Sequence, residues 1–129
     1  MSANLVEITG LTKRFERMGK PALDNITIAI PQGQIVGLAG PDGAGKTTLI
    51  RLIAGLLLPT EGKISVAGHD SVKEARAIHR IIGYMPQRFG LYEDLTVMQN
   101  LVLYADLRGL VGKERQEAFD KLLDFTDLH

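Results

Sequence analysis

The stretch GLAGPDGAGKTTLIRLIAGLLLP, Gly37–Pro59, joins a glycine-rich loop to an apolar run through Lys46-Thr47-Thr48. Gly40, Gly45, Lys46 and Thr47 fit the spacing G-x-x-x-x-G-K-[ST] without a mismatch. Pro41, Asp42, Gly43 and Ala44 fill the loop between them. Such a loop curls its backbone N–H groups inward, and its glycines leave room for phosphate oxygens. A helix starting there adds unpaired N–H groups and its dipole. The ammonium of Lys46 then suits the β- and γ-phosphates and the Thr47 hydroxyl a Mg²⁺ ion. Thr48 adds a hydroxyl and an N–H toward the α-phosphate. The dinucleotide fingerprint G-x-G-x-x-G is absent, because Thr48 stands three residues after Gly45. The stretch reads as a nucleotide site.

The flanks carry the periods that such a loop needs. Upstream, QIVGLA (Gln34–Ala39) is a short apolar run and predicts a strand covered on both faces. Downstream, Leu49, Ile50, Leu52, Ile53, Leu56 and Leu57 recur at spacings of three and four, which predicts a helix ended by Pro59. Farther out, LVEITGL (Leu5–Leu11) and NITIAI (Asn25–Ile30) predict strands, the second with Ile26, Ile28 and Ile30 on one face. KISVAG predicts a strand closed by Gly68, VKEARAIHR a short helix and IIGYM (Ile81–Met85) another buried strand. Thr96 and Gln99 form a capping box that opens a helix through about Leu107. KERQEAFDKLLDF predicts a last amphipathic helix with Phe119, Leu122 and Leu123 inward. Strands alternating with helices around a phosphate loop make an α/β sandwich.

Composition narrows the classes further. The 129 residues make about one domain, 45% hydrophobic and 23% charged, as expected of a globular chain. Lys+Arg and Asp+Glu both number 15, so no general field favours nucleic acid. Cysteine is absent, which excludes disulfides and thiolate metal sites. The opening MSANLVEITG has neither the basic start nor the apolar run of a secretory signal. Its longest apolar run near the loop, Leu56-Leu57-Leu58, is far short of the ~20 residues of a membrane span. His69, His79 and His129 lack the spacing of a metal-ligand set.

The order of elements, with two strands and LTKRF ahead of GPDGAGKTT and then IIGYMPQRFGLYEDLTVMQNL, resembles the ATP-binding subunit of ABC proteins. The likeness runs over essentially all 129 residues and is closest to bacterial ABC exporter ATPases of the multidrug or ABC-2 type. It implies a P-loop NTPase three-layer sandwich with an N-terminal antiparallel β-subdomain, here incomplete. In that frame residues up to about 87 are the β-subdomain and phosphate-loop core, and about 88–129 begin the helical subdomain. The resemblance places Phe15 where an aromatic residue stacks on adenine, and Gln87 at the Q-loop, near Mg²⁺ and the attacking water. It implies ATP and Mg²⁺ as ligands and a second ATPase domain docked head to tail. It also implies a transmembrane permease meeting Arg88–Asp94, on the cytoplasmic face of the membrane. No nucleic acid is expected.

Asp42 departs from the family's usual pattern, which has Ser or Asn there. Two unit charges 4 Å apart repel by about 4 kcal/mol at an effective dielectric of ~20, so Asp42 is expected to point away from the γ-phosphate, toward the second domain. The family's hydrolytic parts are a signature of L-S-G-G-Q type, a strand ending Asp-Glu and a switch histidine. The 129 residues contain neither Asp-Glu nor Ser-Gly-Gly, and His129 follows a helix-like stretch. No complete catalytic set is present, and turnover near background is expected. The unpaired phosphate-loop strand is expected to make the chain marginally stable, or to drive pairing with a second copy. Two rival readings are a non-hydrolysing nucleotide-binding module of a tandem ABC protein and a soluble ABC ATPase acting on ribosomes or DNA.

Overall fold

The computed structural model describes residues 4–16, 19–88 and 90–128, so His129 and Phe89 lie outside the described residues. The chain divides after Tyr84 into two compact units.

The first unit is built on a four-stranded antiparallel sheet. Its strands are β1 (Asn4–Lys13), β2 (Leu23–Pro31), β3 (Glu61–Val66) and β4 (His69–Asp70), in the order β2-β1-β3-β4. β1 is central, with Ile8 opposite Ile28 of β2 on one side and Ile64 of β3 on the other. Val6 and Ile8 are buried on one parity of β1, and Leu11 is buried on the other. Both pairings slip between these residues, around Gly10, whose φ is 59°. A bulge there resets the alternation and returns Leu11 to the core face. Two helices cover the sheet, α1 (Lys46–Ile53) and α2 (Ala75–Ile81). Leu49 and Leu52 of α1 and Ile78 of α2 join Val6, Ile8, Leu11, Leu23, Ile64 and Val66 in one buried cluster. NITIAI contributes less than its pattern suggests, since Ile26 and Ile30 pack on the cluster but Ile28 stays exposed.

The stripe that predicts a helix to Pro59 is interrupted earlier. α1 ends at Ile53, with the Gly55 amide bonded to Leu52 O (3.1 Å) and the Leu56 amide to Arg51 O (2.9 Å). This is a Schellman closure around Gly55 at φ 67°. Leu57 still packs on the core as part of the following turn, whereas Leu56 is exposed.

Two expected strands do not form. Residues 34–40 have no regular structure, and Ile35 is fully exposed, with Val36 and Leu38 about half so. IIGYM begins as the last residue of α2, and Ile82–Met85 pair with no strand. A strand exists only when a neighbour takes its backbone hydrogen bonds. Among the described residues neither segment is paired into the sheet.

The second unit holds α3 (Val97–Leu107) and α4 (Gly112–Thr126). The capping box forms as the sequence predicts: Thr96 Oγ1 accepts from the Gln99 amide (3.2 Å) and Gln99 Oε1 from the Thr96 amide (2.8 Å). An ion pair between Arg115 and Asp106, at 2.8 Å, ties α4 to α3. Phe119 is buried and Leu123 half-buried, but Leu122 is 48% exposed, not inward.

Candidate nucleotide site

The phosphate loop links residues 34–40 to α1. The Ala44 amide bonds to Pro41 O (3.3 Å), closing a four-residue turn in which Gly43 has φ 78°, the value required at the third position of a type II turn. Asp42 is exposed in that turn. Gly45 then caps the helix with φ 96° and ψ 4° and no side-chain cap, and its carbonyl takes the first helical bond, from the Leu49 amide at 2.9 Å. Helix geometry leaves the N–H groups of Lys46, Thr47 and Thr48 without intrahelical acceptors. Anion chemistry suits such an end, since the dipole adds about half a positive charge.

Lys46 folds back across the loop. Its ammonium donates to the carbonyls of Gly40 (2.6 Å) and Pro41 (2.7 Å), so the cation bridges two carbonyls of its own loop. Thr47 beside it is exposed, and Thr48 is half-buried. The donor set is therefore one cation, a row of amides and two hydroxyls, with no carboxylate but Asp42. That chemistry fits a polyphosphate carrying a hard cation.

A packing relay ties this loop to β1. A Cβ on Gly45 would lie 2.5 Å from Ala22 O and 2.8 Å from Leu23 Cδ2, so the loop backbone rests directly on the entry to β2. The Ala22 amide in turn bonds to Lys13 O (2.8 Å), at the end of β1. Phe15 follows two residues later, half-buried, with the Lys13 ammonium 5.1 Å from its ring centroid. Phe15 and the loop thus belong to one unit, joined through Lys13 and Ala22.

Gln87 lies in the second unit, exposed, in the bend after residues 82–86. The surface assigned to a permease is exposed at Arg88 and from Gly90 to Asp94. Behind it a groove of about 370 Å³ is lined mainly by Leu91, Tyr92, Leu95, Val97, Leu101 and Tyr104.

Asn100, which no motif singles out, organises that surface. Its buried amide accepts from the Tyr92 amide (2.9 Å) and donates to the carbonyls of Tyr92 (3.0 Å), Leu95 (3.2 Å) and Thr96 (3.1 Å). Tyr104 likewise donates its hydroxyl to Gly90 O. An asparagine just inside a predicted helix start is the available signal, since such a side chain competes for backbone groups.

Comparison with known proteins agrees with this geometry. The ABC transporter family description matches residues 23–129. The chain is 53% identical to the probable multidrug ABC transporter ATP-binding protein YbhF of Escherichia coli, across 99% of its own length and 22% of that protein. It is 39% identical to the daunorubicin resistance ATP-binding protein DrrA3 of Streptomyces coeruleorubidus, across 99% of itself and 40% of that relative. Among solved structures, the dimeric post-hydrolysis ATP-binding cassette MJ0796, bound to ADP and Pi, superposes with a TM-score of 0.80 at 28% identity. The superposition covers 96% of this chain and 58% of that one. The chain therefore spans about a fifth to two fifths of these curated relatives. With the phosphate loop, the antiparallel sheet ahead of it and a match over residues 23–129, the chain belongs to the ABC transporter family.

Proposed function

We propose that these residues bind Mg-ATP, as the N-terminal part of an ABC exporter ATPase that hydrolyses ATP in a head-to-tail dimer to drive a membrane permease. The observation that carries the reading is the loop itself: Lys46 held across Gly40 and Pro41, beside the open N–H groups of a helix that begins on Gly45. The loop from Gly40 to Thr48 would hold the phosphates, with Thr47 and Gln87 on the metal and Phe15 stacking on the base. Bound Mg²⁺ would neutralise charge on the β- and γ-phosphates. The chain's own residues bind and orient; the 129 residues contain no Asp-Glu pair to polarise a water.

The same reading makes residues 88–129 the start of the helical subdomain. The apolar groove behind Leu91 and Tyr92 supports docking of a permease against Arg88–Asp94. Attachment to the cytoplasmic face would run through that partner. No helix among the described residues is long and apolar enough to cross a membrane.

Titration calorimetry of the 129-residue chain with Mg-ATP, paired with a phosphate-release assay, tests this. Binding that disappears in Lys46→Ala, with background turnover in the unaltered chain, is the expected pair of results. Robust turnover by these residues alone would overturn the division between binding and hydrolysis. No binding at all would overturn the site.

A further inference from the structure

We propose that Lys13 is a positioning residue for the base platform: its ammonium, anchored on Leu58 O, holds the Phe15 ring in the orientation that receives adenine. The inference rests on the reading of Phe15 as the stacking residue and goes beyond it by naming what fixes the ring.

Phe15 comes just after β1 ends, where the ladder no longer restrains the chain. Three hydrogen bonds replace that restraint, and all reach the turn that follows α1. The Thr60 amide donates to Thr12 O (2.9 Å), the Arg14 amide to Thr60 Oγ1 (3.0 Å) and Lys13 Nζ to Leu58 O (2.8 Å). The Lys13 ammonium is thus fixed by a backbone acceptor while it stands 5.1 Å from the Phe15 ring centroid. A cation at that distance is drawn to the ring face, and it occupies that face. The ring is left with its other face for a planar partner. Lys13 also accepts, through its carbonyl, the Ala22 amide whose own carbonyl abuts Gly45. One residue therefore touches the base platform by its side chain and the phosphate loop by its backbone relay.

The function of Lys13 is then to set the distance and tilt between two ends of one ligand. A ligand that has only the phosphate end gains nothing from it. Mg-ATP and Mg-tripolyphosphate separate the two ends, and calorimetry on the full chain reads both. Lys13→Met keeps the aliphatic stem and removes the cation; it is expected to weaken Mg-ATP by about three- to ten-fold and to leave Mg-tripolyphosphate unchanged. Lys13→Arg, whose guanidinium also lies over aromatic faces, is expected to restore Mg-ATP affinity. Phe15→Leu is expected to lose about ten-fold for Mg-ATP, and Lys13→Met added to it to lose nothing more.

Each failure has its own meaning. Weakening by Phe15→Leu with none by Lys13→Met overturns the role of Lys13 and leaves the base platform standing. No change in Phe15→Leu removes the platform, and the role of Lys13 with it. Equal weakening of Mg-ATP and Mg-tripolyphosphate by Lys13→Met, or full additivity with Phe15→Leu, shows a bulk charge effect and overturns the positioning role. Should Lys13→Met not fold, Lys13→Arg decides alone: a ten-fold loss of Mg-ATP affinity there overturns the proposal.

Discussion

Two glycines of the phosphate loop have similar backbone conformations and should nevertheless respond very differently to a methyl group. Gly43 has φ 78° with nothing within 4 Å of an added Cβ. Gly45 has φ 96°, and its added Cβ meets Ala22 O at 2.5 Å and Leu23 Cδ2 at 2.8 Å. Holding alanine in the left-handed region costs about 1–2 kcal/mol at either position. At Gly45 a further overpacking cost of about 1–3 kcal/mol applies, because carbon contacts settle near 3.5–4.0 Å. The obstacle is rigid, since the Ala22 amide is bonded to Lys13 O at 2.8 Å and Leu23 is in the buried core. Gly43→Ala is expected to lower unfolding free energy by about 1–2 kcal/mol and Gly45→Ala by about 2–5 kcal/mol. The second is a large share of a domain's usual 5–15 kcal/mol. Urea unfolding followed by far-ultraviolet circular dichroism gives both numbers, and calorimetry gives Mg-ATP affinity where the variant remains folded. Equal costs for the two substitutions, or a cost below about 1 kcal/mol for Gly45→Ala, would refute the packing relay from the loop to β1.

Asp42→Asn removes a carboxylate from the exposed turn of the loop, so Mg-ATP affinity is expected to stay level or rise; a clear loss measured by calorimetry would count against a repelled Asp42. Asn100→Ala leaves the Tyr92 amide without its acceptor and should destabilise the second unit by about 1–3 kcal/mol. Hydrogen exchange reads this directly, and an unchanged rate at the Tyr92 amide would dismiss the clamp. Acid stability has a defined sign at the β4–α2 corner. Hydrogen bonds from the Lys73 and Val72 amides hold Asp70 below its ordinary value of 3.8. The His69 ring and the Asp70 amide hold Glu74 below 4.5. Folded values below unfolded ones give stability that is complete above those ordinary values and is lost as pH falls through the depressed ones. Melting temperature followed down from pH 6 should therefore drop more steeply below about pH 4.5 in the unaltered chain than in Glu74→Gln, and parallel curves would dismiss the effect.

What could be read in advance was local. The turn at Pro41–Ala44 with the helix start at Lys46, the Thr96–Gln99 capping box and α3 each depend on residues within a few positions of one another, and each formed where its residues placed it. The sequence also carried the signal for the early end of α1, because Gly55 sits inside the apolar stripe. A left-handed glycine at Gly55 closes the helix before Pro59 can stop it. Asn100 and Lys13 escaped for a different reason. Their partners, Tyr92 and Leu95 for one and Leu58 and Phe15 for the other, are fixed by the path of the chain rather than by a motif.

The two lost strands show the limit most clearly. Gln34–Ala39 and Ile82–Met85 have the composition of buried strands, and Ile35 and Met85 nonetheless stand among the most exposed large hydrophobic residues described. Composition states what environment a segment suits, whereas a strand also needs a second backbone at about 4.8 Å to take its hydrogen bonds. In the first sheet that second backbone is close in sequence: β1 meets β2 across a short connection, and apolar alternation becomes register. No described neighbour does this for Gln34–Ala39, so the same kind of pattern leaves an apolar surface instead. The phosphate loop survives this loss because its shape is held from the other side. Gly45 rests on Ala22, α1 packs Leu49 and Leu52 into the sheet core, and Lys46 clasps Gly40 and Pro41. The site's geometry is therefore anchored to the antiparallel sheet and α1 rather than to the segment that leads into it. On the proposed function, nucleotide binding is then expected to persist where that segment is unpaired.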